Sequence, residues 1–265
     1  MKYITLNNGV RMPMAGYGTY QTPPSITEKC VAEAISIGYR SIDTAQCYGN
    51  EKEVGSACLK SGISRKELFI TTKLWGCHGY QDTLHSIDAS LKRLNMDYID
   101  LLLIHEPTGN VYEIYRAMET FYSDGKLRAI GVSNFLEEQY LDLVNHCKII
   151  PAANQVETHV FRQQKKLRDL ECQIGTKHES WSPLACGQNH IWQNPVLLQI
   201  AEKNSKSVSQ VALRFLIQQG VIVIPKSTNQ KHMKENLEVF DFDLDAKDMQ
   251  SIRKLEQGHS LFGWW

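Results

Sequence analysis

Eight short apolar runs, separated by longer amphipathic stretches, recur along the whole chain. They fall near 15–20, 39–45, 68–74, 99–104, 129–133, 152–156, 180–184 and 221–225. Most have the length and the β-branched or aromatic content of buried strands. The stretches between them carry apolar residues at helical spacing. In SITEKCVAEAISIG, Ile26, Cys30, Ala34 and Ile37 recur, with Ser25 or Thr27 as a cap and Gly38 as a stop. DTLHSIDASLKRLN and VYEIYRAMETFYSDGK read the same way. A strand–helix unit repeated eight times predicts a parallel sheet with helical crossovers. Eight such units in 265 residues predict an α/β fold of the closed (β/α)8 TIM-barrel type. No Gly-, Pro- or Ser-rich linker interrupts residues 1–265, so a single domain is expected. An open doubly wound sheet would announce itself with GxGxxG after an early strand, but Gly16-Tyr17-Gly18 lacks the third glycine. The opening YITLNNGVRMPMAG reads as two short strands around an Asn8-Gly9 hairpin, placed to plug the bottom of the barrel.

Composition excludes several partners. The 29 basic and 29 acidic residues cancel, which argues against nucleic acid or an anionic membrane held by net charge. The N-terminus MKYITLNNGV has no secretory apolar core, and no run approaches the roughly 20 residues of a membrane span. Seven cysteines, an odd number without CxxC spacing, fit free thiols in a reducing compartment. A cytoplasmic protein is expected.

Strands buried on both faces should be apolar, yet most of these runs end in polar residues. Asp43, Lys73 and His105 end the second, third and fourth. Ser133 and Asn134 end the fifth, Asn154, Gln155 and Glu157 the sixth, Ser182 the seventh, and Lys226 with Ser227 the eighth. In a barrel these ends meet at one rim, where barrel enzymes keep their active sites.

Several chemistries lack their residues. There is no HxH or HExxH, and the nine histidines are dispersed, so no metal is expected. A GxSxG elbow is absent. Asp43 and Glu157 are the carboxylates nearest strand ends, but Lys73 beside them would be unusual for glycoside hydrolysis. Asp43, Tyr48, Lys73 and His105 make better sense together. An ammonium lowers the pKa of a neighbouring phenol, a carboxylate holds the ammonium, and an imidazole orients a carbonyl oxygen. Such a group protonates an oxyanion as it forms.

At these residues the chain resembles the aldo-keto reductase superfamily. GYRSIDTAQCYGNE (38–51) matches its first motif, KLW (73–75) its lysine motif and LLLIHEP (101–107) its histidine motif. GVSNF (131–135), NQVE (154–157), WSPL (181–184) and IPKS (224–227) follow in family order and spacing. The likeness runs from Asn7 to Trp265 and is nearest to the shorter prokaryotic and protozoan members, similar to diketogluconate reductases and prostaglandin F synthases. The resemblance implies a barrel that binds NADPH without a Rossmann fold and reduces small-molecule carbonyls. It implies Tyr48 as general acid, Lys73 and Asp43 tuning it, and His105 orienting the carbonyl. It places Gly18, Thr19 and Asp43 against the cofactor, with Ser133, Asn134 and Gln155 on the nicotinamide carboxamide and Trp181 under the ring. Ser182 and Leu184 would face the pyrophosphate, Lys226, Ser227, Thr228 and His232 the 2′-phosphate region, and Glu235 with Asn236 the adenine. Tyr20, Tyr48, Trp75, His105, Glu106 and Trp264 would line the substrate pocket, with Phe262 adding to the apolar wall.

The chain departs from the family pattern in four places. His232 stands where NADPH-preferring members commonly carry Arg, and a neutral imidazole cannot grip a phosphate bidentately. A weaker NADPH preference, sharper at low pH, is expected, with NADH use possible. Glu106 follows the histidine where Trp or Gln is frequent, and a carboxylate there would disfavour anionic substrates. The seventh run reads QIGTKHESWSPL, so Lys177 and His178 stand where aliphatics are expected. That strand is expected either to shorten to Ser180–Pro183 or to let both residues snorkel to the bottom rim. The chain stops at FGWW without a long C-terminal loop, implying an open pocket reached by Trp264 and Trp265. A monomer is expected. The rival function is a nucleotide-binding sensor on the same fold with little turnover, against which the four intact catalytic positions argue.

Overall fold

The Asn-Gly pair near the start forms the hairpin its sequence implies. In the computed structural model, which describes residues 2–263, β1 (Tyr3–Thr5) and β2 (Arg11–Pro13) pair antiparallel. Leu6 and Met12 are buried and pack with Phe69, Leu101, Leu103, Ala153 and Ile222. The hairpin therefore closes the lower end of the barrel with apolar side chains.

Eight parallel strands follow: β3 (Tyr17–Gly18), β4 (Ser41–Asp43), β5 (Phe69–Leu74), β6 (Leu101–Ile104), β7 (Ile130–Ser133), β8 (Ala153–Glu157), β9 (Lys177–Trp181) and β10 (Ile222–Val223). Each pairs with its sequence neighbour in parallel. The ring closes where β3 meets β10. Gly16 N–H donates to Val223 O at 2.8 Å, Val223 N–H to Met14 O at 3.0 Å, and Gly18 N–H to Pro225 O at 3.2 Å. The approach at this seam demands glycine, since a Cβ on Gly18 would lie 2.9 Å from Ile224 O.

The crossovers and flanks are α1 (Pro24–Ile37), α2 (Glu51–Lys60), α3 (Tyr80–Leu94), α4 (Val111–Ser123), α5 (Glu137–His146), α6 (Lys165–Ile174), α7 (Pro195–Asn204), α8 (Val208–Ile217), α9 (Gln230–Leu237) and α10 (Ala246–Arg253). Neither Ser25 nor Thr27 caps α1. The helix begins at Pro24, behind Pro23, because proline has no N–H to satisfy and its fixed φ already suits the first turn. Thr27 is inside the helix and donates its hydroxyl to Pro23 O at 2.9 Å. Gly38 does stop it, at φ 123°, with its N–H on the Ala34 and Ile35 carbonyls. The buried stripe is Thr27, Cys30, Val31, Ala34 and Ile35, and Ile26 is exposed. Tyr39, fully buried beyond α1, donates its hydroxyl to Met233 O at 2.9 Å and ties α9 to the barrel.

The seventh barrel strand corrects the expectation. It is neither shortened nor placed at 180–184; β9 runs Lys177–Trp181 in register with all of β8. Alternation explains its polar residues. His178 points outward, with Nδ1 2.6 Å from Glu171 Oε2 on α6 and Nε2 2.8 Å from Thr158 Oγ1. Asn154 also leaves the rim for this outer layer, donating to Glu171 Oε1 at 2.7 Å and Phe135 O at 2.8 Å. A buried polar network therefore replaces the aliphatics, since a buried polar group is tolerated when its partners are present. Lys177 is half-buried at the lower end, and Glu179 faces the barrel interior. Among the described residues, no helix is long and apolar enough to cross a membrane.

Candidate active site

The ends of β4, β5 and β6 bring four side chains to the upper rim. Asp43 ends β4, Tyr48 closes the helical turn after it (Gln46–Tyr48), Lys73 lies near the end of β5, and His105 follows β6. Lys73 is fully buried, and its ammonium spends all three donors: on Asp43 Oδ1 at 2.6 Å, Thr44 O at 3.0 Å and Tyr48 Oη at 3.3 Å. Burial opposes the Lys73 charge, but Asp43 and Tyr48 outweigh it and hold its pKa above the ordinary lysine value. The Tyr48 phenol is pushed up to about 12, first by burial, with Lys73 pulling it down and Asp43 pushing it up. The ammonium thus acts on the phenol in the expected direction, but the net shift is upward because desolvation of a phenolate is the larger effect.

His105 is held neutral, its pKa pushed down to about 3 by burial and then by the Lys73 charge. Its Nδ1 lies 3.4 Å from Cys47 Sγ, a thiol that burial pushes up to about 11. A protonated thiol can donate to Nδ1, which puts the ring proton on Nε2. Aromatic rings surround the pair: Tyr48 lies 5.7 Å from His105, Tyr20 5.0 Å from Tyr48, and Trp75 5.2 Å from His105. Tyr20 and Trp75 are each 48% exposed and form open walls. Glu106 is half-buried and lines, with Trp75, Cys77, Ile104 and Ile114, a cleft of about 180 Å³ beside the rim. Burial raises its carboxyl pKa. Trp264 lies outside the described residues.

The expected cofactor residues occupy one continuous arc. Ser133 donates to Gln155 O at 2.8 Å. Asn134, left-handed at φ 63°, donates to His105 O at 3.1 Å and accepts from the Trp181 indole at 2.8 Å. Gln155 donates to Asp43 Oδ2 at 2.9 Å and to Glu179 Oε2 at 3.0 Å. Thr19 is a buried brace whose hydroxyl donates to Asp43 O at 2.9 Å. After Trp181 the chain turns through left-handed residues Ser182, Ala185 and Cys186, with Leu184 between them. Further round, Lys226, Thr228, Lys231 and His232 are exposed about the first turn of α9, whose cap Asn229 accepts from Lys231 and His232 N–H. Glu235 is half-buried and Asn236 buried on the same helix.

Two residues take unexpected places. Glu157 is not an open carboxylate: it pairs with Arg162 at 3.2 Å and His159 at 3.0 Å, and accepts from Ser260 Oγ at 2.5 Å and Leu261 N at 3.0 Å. That latch brings the C-terminal segment back to the rim, where Phe262 lies 5.2 Å from Trp181. Glu179 is a fully buried carboxyl inside the barrel, a placement signalled by the period-two alternation Lys177, Glu179, Trp181.

Known proteins resemble this chain over most of its length. Residues 14–257 match the aldo/keto reductase family. A glyoxal reductase of Bacillus subtilis is 46% identical over 96% of this chain and 92% of its own length. A 9,11-endoperoxide prostaglandin H2 reductase of Trypanosoma cruzi is 42% identical over 98% of this chain and 93% of its own. The crystal structure of an aldo-keto reductase from a Medee basin deep-sea metagenome library superposes with a TM-score of 0.96 at 44% identity, covering 98% of this chain and 97% of that one.

Proposed function

The chain belongs to the aldo/keto reductase family, an oxidoreductase family, and from that premise we propose that it reduces aldehydes and ketones to alcohols with NADPH and broad specificity. The observation that carries this reading is the position of Lys73, bonded at once to Asp43 at 2.6 Å and to Tyr48 at 3.3 Å beneath an open aromatic pocket. A buried ion pair beside a phenol, facing a neutral imidazole, suits protonation of a forming alkoxide.

The donor set fits the cofactor. Exposed Lys226, Lys231 and His232 at a helix N-terminus suit a phosphate, and the left-handed turn at Ser182–Cys186 suits a pyrophosphate backbone contact. Ser133, Asn134 and Gln155 would meet the nicotinamide carboxamide, Trp181 would lie under the ring, and Glu235 with Asn236 would meet the adenine. NADPH when bound supplies the hydride. The protein supplies the rest. Neutral His105 donates from Nε2 to the carbonyl oxygen and orients it. Tyr48 gives its proton to that oxygen as negative charge develops. Lys73, fixed by Asp43, stabilises the phenolate that remains. Tyr20, Trp75 and Phe262 form apolar walls beside the reacting carbon.

The Bacillus relative's name makes a small dicarbonyl the first substrate to try. The seven cysteines are all free, which supports a reducing compartment such as the cytoplasm. A monomer is the form proposed.

The test follows loss of reduced-nicotinamide absorbance with methylglyoxal, an aromatic aldehyde, a diketone and a sugar acid, using NADPH and NADH in parallel. Tyr48→Phe is expected to bind NADPH normally and lose roughly 10²–10⁴-fold in kcat. Tight NADPH binding without turnover on any carbonyl would overturn the reductase in favour of a nucleotide-binding sensor.

A further inference from the structure

The middle of a (β/α)8 barrel is ordinarily filled by branched apolar side chains. Here one of those positions holds Glu179, fully buried, on β9. Oε2 accepts from Gln155 Nε2 at 3.0 Å; among the described residues, Oε1 has no partner. The charged groups facing it are few. β4 contributes Asp43 and β5 contributes Lys73. The ladder neighbours Gln155 on β8 and Ile222 on β10 are uncharged, and Lys177 and Trp181 flank it on its own strand. Lys73 has no hydrogen left for it, since Asp43, Thr44 and Tyr48 take all three.

Two consequences follow. Both N–H groups of the Gln155 amide are drawn inward by carboxyl oxygens, to Asp43 at 2.9 Å and Glu179 at 3.0 Å. Carboxyl acceptors force the amide nitrogen to that side, so the amide oxygen is what Gln155 can offer a ligand. Second, Lys73 and Asp43 already cancel, so an ionised Glu179 would place an uncompensated negative charge under Asp43, Lys73 and Tyr48. Two carboxyls that share one amide nitrogen do not both ionise readily.

We propose that Glu179 is a positioning residue of this site: it fixes the Gln155 amide with its oxygen available to the cofactor carboxamide, and by holding or releasing a proton it sets the charge beneath Asp43, Lys73 and Tyr48. The proposal rests on the reductase reading given above. Burial, and then the Asp43 charge, push the Glu179 carboxyl up to about 8. A carboxyl raised in this way is expected to keep its proton near neutral pH and to release it to solvent as the solution turns alkaline. The charge that appears opposes the Tyr48 phenolate, which the reverse reaction, alcohol oxidation, needs as its base.

Three measurements on the full-length protein test this. Infrared titration of the cofactor-free protein is expected to show a protonated buried carboxyl near neutral pH that disappears in Glu179→Gln. NADPH binding, read by quenching of tryptophan fluorescence, is expected to weaken roughly three- to tenfold in Glu179→Leu, which frees one Gln155 N–H. Glu179→Gln, which keeps an acceptor, restores it. The pH profile of alcohol oxidation is expected to move its acid limb down by roughly half a unit to one unit in Glu179→Gln, because the opposing charge can no longer form. An ionised Glu179 at pH 7, or an oxidation profile unchanged by Glu179→Gln, overturns the proposal. Should Glu179→Leu fail to fold, Glu179→Gln still decides. Infrared and binding need no turnover, so a protein that reduces no carbonyl would defeat the reductase reading while these two measurements still judge Glu179.

Discussion

Trp181 donates its indole N–H to the side-chain oxygen of Asn134 across 2.8 Å. The amide nitrogen of Asn134 in turn reaches His105 O at 3.1 Å, so one side chain joins the proposed nicotinamide platform to the residue after β6. Asn134 does this at φ 63°, where asparagine is tolerated and alanine is strained. Asn134→Ala is expected to cost about 2–3 kcal/mol of stability, from two lost hydrogen bonds and the backbone strain. Urea denaturation measures this. NADPH affinity should fall in parallel, and unchanged stability and affinity would show the link to be incidental.

His105 carries a pH prediction. Its pKa is pushed down to about 3 in the folded protein, by burial first and Lys73 second. The unfolded chain, with an ordinary imidazole, binds the extra proton between about pH 6.5 and 3. Stability contributed by this neutral ring is therefore full above about pH 6.5 and is lost as pH falls through that window, at up to roughly 1.4 kcal/mol per unit. His105→Gln should flatten the acid side of the stability curve. A carbonyl-reduction profile with a histidine-like acid limb near pH 6.5 that vanishes in this variant would contradict the downward shift of His105.

Glu106 lies with Trp75 on the cleft beside the rim. Glu106→Gln removes a half-buried carboxylate and is expected to lower KM for acidic carbonyls several-fold, an effect that added salt diminishes. Methylglyoxal, being uncharged, should keep its KM. Equal KM values for a sugar acid in both proteins would remove Glu106 from substrate selection.

His232 is exposed on the first turn of α9, beside Lys231. His232→Arg adds a planar fork able to grip a phosphate in two places. NADPH is expected to bind roughly tenfold more tightly, and NADH to bind as before. Fluorescence titration with each coenzyme separates the two, and a gain shared by both would mean that the 2′-phosphate does not reach this position.

The alternation of apolar runs foretold the barrel, because strand and helix periods survive without tertiary information, and the Asn8-Gly9 turn foretold the hairpin. The gathering of Asp43, Lys73 and His105 at one rim was legible for a related reason: they break apolar runs where only paired or functional polar groups are tolerated. β9 was not legible. Its boundaries were misplaced because His178 is balanced by Glu171 and Thr158, seven and twenty positions away, and pairing across elements leaves no local pattern. Alternation along β9 could have signalled that Glu179 faces inward, but its partners could not be read, since they come from Gln155 and Asp43 on two other strands. The capping of α1 failed on chemistry within reach, as Pro24 already satisfies the first turn.

The outer network of Asn154, Thr158, Glu171 and His178 has a consequence for how such a barrel can change by descent. A single aliphatic replacement at His178 leaves Glu171 Oε2 without its partner, and a replacement at Glu171 takes one hydrogen bond from His178 and one from Asn154 at once. The first step toward an ordinary apolar seventh strand is uphill, although the completed exchange need not be. These positions are therefore expected to travel together in chimaeras: a β9 transplanted from an aliphatic relative should fold poorly alone and recover when α6 and the end of β8 come with it.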